Sequence, residues 1–288
     1  MLVFMAAPFV ACLILTGIHC YLGLHIVTRG VIFVDLALAQ VAALGATIAV
    51  LFGYVLNSPE AYCLSLAFTF VGAAIFAIGR FRDERIPQEA IIGIVYAVCS
   101  ATAILVLDRA PHGHEAISAM LVGSILYVTW PGILKTFLVY SVVGLIHYYF
   151  RSKFLLISFD VKEAWNRGLS VRWWDFVFYV TFGFVVTSSV QIAGVLLVFS
   201  YLVVPAACAI LFARKTSSRL FLGWGIAFLA SVAGIFMSTK WDFPTGASIV
   251  SAFGLALIIC ALIARATRKK RENTNEAEPE SAHCAQHR

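Results

Sequence analysis

Asp35 and Asp242 are carboxylates in or beside the apolar runs of this chain, where an ionisable group is costly and marks a transport path or a buried partner. Asp35 lies in RGVIFVDLALAQVAALG. It reads either as an interfacial acid paired with Arg29 or as a permeation group. Gln40, five residues on, falls on a different part of the same helical surface. Asp242 lies in TKWDFPTGAS, before Pro244, a residue suited to a first helical turn. Its carboxylate either caps the last helix or binds a cation at a pore mouth. His112, His114 and Glu115 in PHGHE are borderline to hard ligands that suit divalent first-row metals, in a loop that either collects metal or is simply solvated. His19, His25 and His147 fall in or at the ends of apolar runs, and each alone reads as a packing residue.

Other chemistries are missing from the sequence. There is no GxxxxGK[ST] and no soluble segment large enough to hold a nucleotide, so any ATP must be handled by another chain. A nucleophile elbow, an HExxH and a paired carboxylate set are also missing, which argues against an enzyme. The seven cysteines form no CxxC pair, and six lie in apolar runs as small buried hydrophobes. Neither a disulfide framework nor a structural zinc site is expected.

The elements that must position these residues are membrane helices. With 61% hydrophobic and 12% charged residues over 288, the chain cannot hide its apolar surface in a soluble fold. The reading is an all-α, polytopic membrane protein of eight to nine transmembrane helices, since a helical span needs about 20 apolar residues. The short alternating segments of a β-barrel do not occur. Candidate spans cover roughly 6–27, 31–54, 61–79, 88–107, 132–150, 173–190, 193–213, 220–238 and 245–264. The first is read as a span rather than a cleaved signal peptide, because it has no basic leader. Segment 108–131 is read as a re-entrant or surface helix on the outer side.

The net charge of +6 is a topology signal rather than a nucleic-acid footprint. If RATRKKR at 265–271 is cytoplasmic, alternation of nine spans puts 18 of the 21 Lys and Arg on that side, leaving Arg109, Lys135 and Lys240 outside. Residues 1–271 then form one transmembrane domain. Residues 272–288, polar and without apolar periodicity, read as a disordered cytoplasmic tail.

One polar island, Arg151–Arg172, interrupts the apolar blocks. Asp160 followed three residues later by Glu163 predicts a capping box. Gly168 predicts the stop of a helix of about two turns. Val161, Ala164 and Trp165 share one face of that helix. The segment reads either as an amphipathic loop helix or as a surface for a soluble partner.

Several stretches together resemble the membrane permease subunit of zinc/manganese/iron-type ABC importers. They are RGVIFVDLALAQVAALG at 29–45, IIGIVYAV at 91–98, MLVGSIL at 120–126, FDVKEAWNRGL at 159–169, QIAGVLLVFSYLVVPAACAILFAR at 191–214 and DFPTGASIV at 242–250. The resemblance implies a homodimeric pore in a cell (inner) membrane, two copies of a separate ATP-binding cassette ATPase and an extracytoplasmic metal-binding receptor. It also implies no permanently bound cofactor, a divalent metal as cargo and ATP on the partner. It makes the island the coupling helix that enters a cleft of the ATPase, carried by Asp160, Glu163, Ala164, Trp165 and Gly168. Pro205 matches a proline that permits a kink in the following hydrophobic helix. One departure stands out: many such permeases carry Asp-x-x-x-His on the second span, where this chain has Leu36 and Gln40, with Asp35 displaced by one position. The cargo is then bound by other groups, or is a chelated metal. A secondary transporter is the other reading, though no inverted repeat is evident.

Overall fold

Apolar runs of membrane length fold as helices because a helix satisfies every backbone N–H and C=O within the segment. The computed structural model describes residues 2–55, 58–80, 87–108 and 125–284, with backbone alone for 2–4 and 268–284. Among them, nine helices are long and apolar enough to cross a membrane. They are α1 (Leu2–Arg29), α2 (Val34–Leu51), α3 (Pro59–Ile78), α4 (Gln88–Leu107), α5 (Trp130–Tyr149), α8 (Val171–Ala193), α9 (Val195–Phe212), α10 (Thr216–Trp241) and α11 (Thr245–Cys284). Two short helices, α6 (Arg151–Phe159) and α7 (Val161–Asn166), occupy the polar island between α5 and α8. The count of spans among the described residues is therefore nine.

Packing divides the spans into inner and outer ones. α1 lies against α9 and α10, α2 against α3 and α4, and α8 against α3, α2 and α5. Tyr179, Phe178, Phe182 and Tyr201 are fully buried where these helices meet. α4 and α11 leave most of their apolar surface open, including Ile94, Leu105, Ile258 and Leu262. Between spans, helix approach is set by small residues: a Cβ on Gly45 would stand 2.7 Å from the Leu64 carbonyl oxygen of α3. Gly45 thus lets α2 and α3 approach closely.

Several buried polar groups are paired across helices, which offsets the cost of burying them. His19 Nε2 lies 3.1 Å from Ser189 Oγ, and Ser189 also bonds Tyr140. His147 Nε2 lies 2.8 Å from Thr181 Oγ1. His19 and His147 each meet a hydroxyl of α8 in this way.

Only part of segment 108–131 is described: Ile125–Tyr127 is a 3₁₀ turn packed on α1 and α11. The expected re-entrant helix over the rest lies outside the described residues. At the other terminus the backbone of α11 stays helical through Cys284, into residues whose composition predicts disorder. The helix-forming Arg, Lys, Glu and Ala beyond the last apolar turn continue it locally.

Candidate functional site

The polar island builds a helical hairpin whose junction is one residue. Asp160 ends α6 and begins α7: its N–H donates to Leu156 O at 2.8 Å, and its Oδ1 accepts from Glu163 N at 2.9 Å. That N-cap is as predicted. The reciprocal half of the capping box is not formed. With the Asp160 N–H already bonded in α6, Glu163 turns outward and accepts from Arg167 Nε at 2.7 Å, one helical turn on.

α7 ends as expected. Gly168 has φ +72°, and Leu169 N donates to Ala164 O while Gly168 N donates to Trp165 O. Those crossed bonds are the Schellman arrangement, which needs a residue tolerant of positive φ. Ala164 is fully buried with Ile157 of α6 and Val171 of α8, and Val161, Trp165 and Leu169 pack around them. Asp160, Lys162, Asn166 and Gly168 remain exposed. The inward face glues α7 to the end of α6, and the outward face is free for contact.

Beneath this hairpin lies a charged knot that sequence reasoning missed. Arg29, the last residue of α1, has a fully buried side chain. Its Nη1 donates to Asp175 Oδ1 of α8 at 2.8 Å, and its Nε donates to Ser158 Oγ of α6 at 2.8 Å. Asp175, also fully buried, takes Arg80 Nη1 on Oδ2 at 2.8 Å. The Arg29 guanidinium carbon stands 3.9 Å above the Phe178 ring. Ser158 Oγ further pairs with His25 Nδ1 at 2.7 Å. One guanidinium therefore joins α1 to both α6 and α8, and Asp175 joins them to the end of α3.

Local sequence explains why these groups meet. Gly30, φ +70°, ends α1 immediately after Arg29, with Val31 N returning to Ile26 O. Asp175 sits in the second turn of α8, on its buried face, where it meets Arg29 and Arg80. Two arginines around one carboxylate, all drawn from the same end of the bundle, leave a net positive knot with little access to water. The sequence carries a clue: Asp175 in VRWWDFVF is an acid in an apolar run, and Arg29 follows directly on another such run.

That pairing with Asp35 is corrected, since Arg29 is committed to Asp175 and Ser158. Asp35 is buried in the first turn of α2, and its Oδ1 has no hydrogen-bond partner. Beside it, Glu89 of α4 accepts from Phe33 N at 3.0 Å, while its Oε2 is buried and unpartnered. Glu89 thus holds the backbone N–H of Phe33, the residue that precedes α2, a role invisible in the sequence because α2 and α4 are far apart along the chain. Gln40 is half-buried with Leu36 on a neighbouring face and does not converge on Asp35.

Asp242 does not cap α11. It ends α10 in a left-handed conformation, φ 55° and ψ 37°, which Asp tolerates better than most residues, and it is exposed. The Pro244 carbonyl starts α11 by accepting from Ser248 N at 3.0 Å. Pro205 is buried inside α9, where the ring cannot supply an N–H to the Tyr201 carbonyl. His112, His114 and Glu115 lie outside the described residues. Among the described residues no three His, Cys, Asp or Glu gather as metal ligands.

The chain is similar to known membrane proteins along most of its length. It is 28% identical over 214 residues to the manganese transport system membrane protein MntC of Listeria innocua, covering 70% of this chain and 74% of that one. It is 27% identical over 214 residues to the manganese transport system membrane protein MntB of Synechocystis sp., covering 74% and 69%. Among solved structures, PsaBC from Streptococcus pneumoniae in complex with Fab shares the fold with a TM-score of 0.73 at 23% identity, covering 89% of this chain and 90% of that chain. The model of the ABC 3 transport family matches residues 1–264, so this helical chain belongs to the ABC 3 transport family.

Proposed function

We propose that the chain is the membrane permease subunit of an ATP-driven importer that moves a divalent transition metal, zinc, manganese or iron, across a cell (inner) membrane. The observation that carries this reading is α7, capped at Asp160 and stopped at Gly168, glued to the spans by Ala164 and open on its outer face. In a family of ABC transporters, such a helix is the surface on which a separate ATPase docks. Two copies of this chain form the pore, an extracytoplasmic receptor delivers the metal, and the chain itself makes or breaks no bond. The C-terminus is cytoplasmic: Arg29, Arg80 and the island meet at one end of the bundle, as the charge asymmetry requires. Residues 1–271 form the permease body and 272–288 a cytoplasmic extension.

Metal handling falls to Asp35, Asp242 and the loop carrying His112, His114 and Glu115, with Gln40 on the neighbouring face of α2. Because Leu36 and Gln40 replace a carboxylate–imidazole pair, a metal held by a chelator is the second reading of the cargo. The test is uptake of manganese, zinc and iron into proteoliposomes containing the chain with and without its ATPase. Uptake that needs the ATPase and is lost in Gly168→Val supports the reading. Uptake indifferent to both refutes it.

A further inference from the structure

We infer that Arg29, Asp175, Arg80 and Ser158 form the link through which displacement of the α6–α7 hairpin reaches the spans, with Ser158 and Arg29 as its positioning residues. The inference rests on the proposed docking of an ATPase at α7. α6 and α7 share Asp160 and are packed together through Ile157 and Ala164, so they move as one body. Ser158 stands two residues before that junction and faces the spans. Its Oγ meets both Arg29 Nε at 2.8 Å and His25 Nδ1 at 2.7 Å, two side chains of α1 one helical turn apart. Through the same guanidinium the push continues to Asp175 of α8, and through Asp175 to Arg80 at the end of α3.

The arrangement suits transmission rather than mere anchorage. Arg29 divides its donors between two elements instead of giving a bidentate fork to one carboxylate, the stronger geometry for stability alone. Its Nη2 is buried without a partner, as are Tyr21 Oη and His147 Nδ1 nearby. Tyr21 packs edge-on to His25 at 4.7 Å and to His147 at 5.5 Å between ring centroids. Unpartnered donors and acceptors around one shared guanidinium provide alternative bonds that a shift of α6 can engage. A knot with every group satisfied would have one arrangement; this one has the means for two.

The experiment is hydrogen exchange on the complex with its ATPase in lipid nanodiscs, with and without ATP plus vanadate, paired with ions transported per ATP in proteoliposomes. In wild type, nucleotide changes exchange at α7 and at the end of α1, Leu24–Val31. In Ser158→Ala the response at α7 persists and that at Leu24–Val31 is lost, while ions per ATP fall about tenfold, the scale of one hydrogen bond to a charged group. Arg29→Lys, which keeps the charge beside Asp175 and loses Nε, gives the same pattern. An unaltered response at Leu24–Val31 in both variants, or no such response in wild type, overturns the inference. So does an equal fall in ATP turnover and uptake, which assigns the knot to stability alone. A wild-type complex whose α1 responds to nucleotide but which moves no manganese, zinc or iron refutes the cargo reading and leaves the link standing.

Discussion

Asp175→Ala is the most informative single change for the architecture. The carboxylate is fully buried and holds two arginines, but the two are not equivalent. Arg29 has no exposed side-chain surface, whereas Arg80 is 12% exposed. Without Asp175, Arg80 turns toward water, and Arg29 keeps only Ser158 Oγ and the face of Phe178. Removing one partner of a buried pair costs about 3–5 kcal/mol, and the charge left on Arg29 puts Asp175→Ala in that range. Arg80→Ala leaves the Arg29–Asp175 pair intact and costs about 1–3 kcal/mol, the value of a charged hydrogen bond. Arg29→Met with Asp175→Leu removes both buried charges and recovers most of the loss, because apolar groups of similar volume replace a buried pair at little net cost. Equilibrium unfolding in mixed SDS micelles measures all three. A loss below about 1 kcal/mol for Asp175→Ala, the range of a surface pair, refutes the burial argument. An Arg80→Ala variant weaker than Asp175→Ala refutes it too.

Two further outcomes follow from the helices around α2. Gly45→Ala forces a methyl to 2.7 Å from the Leu64 carbonyl oxygen and lowers stability by about 1–3 kcal/mol, read by the same unfolding assay; an unchanged midpoint contradicts the close approach. Asp35→Ala removes a buried carboxylate with an unpartnered oxygen, so stability holds or rises while metal uptake drops several-fold. Normal uptake in that variant returns Asp35 to a purely structural role.

The spans were legible because hydropathy over helical length leaves few alternatives, and α7 was legible because its cap and stop are local: Asp160 and Gly168 act within a few residues. The capping box failed at Glu163 for a reason no local pattern carries, since α6 had already taken the Asp160 N–H. α6 itself was hidden because RSKFLLISF lies in the polar island without a cap or stop signal of its own, and Phe150 alone ends α5 and begins α6. The Arg29–Asp175–Arg80 knot depends on contacts between residues 95 to 146 positions apart. Sequence patterns could offer only the oddity of each charge, and Asp175 was passed over while Asp35 was not. Asp242 shows the opposite limit: proximity to Pro244 suggests a cap for α11 beside a cation-binding role, and the backbone uses the residue to end α10.

The central claim is tested most directly by manganese, zinc and iron uptake into proteoliposomes bearing this chain, measured with ATP, without ATP and without the partner ATPase. Accumulation of one of these metals only when ATP and the ATPase are both present is the expected result. Accumulation driven by an ion gradient in the absence of the ATPase would contradict it.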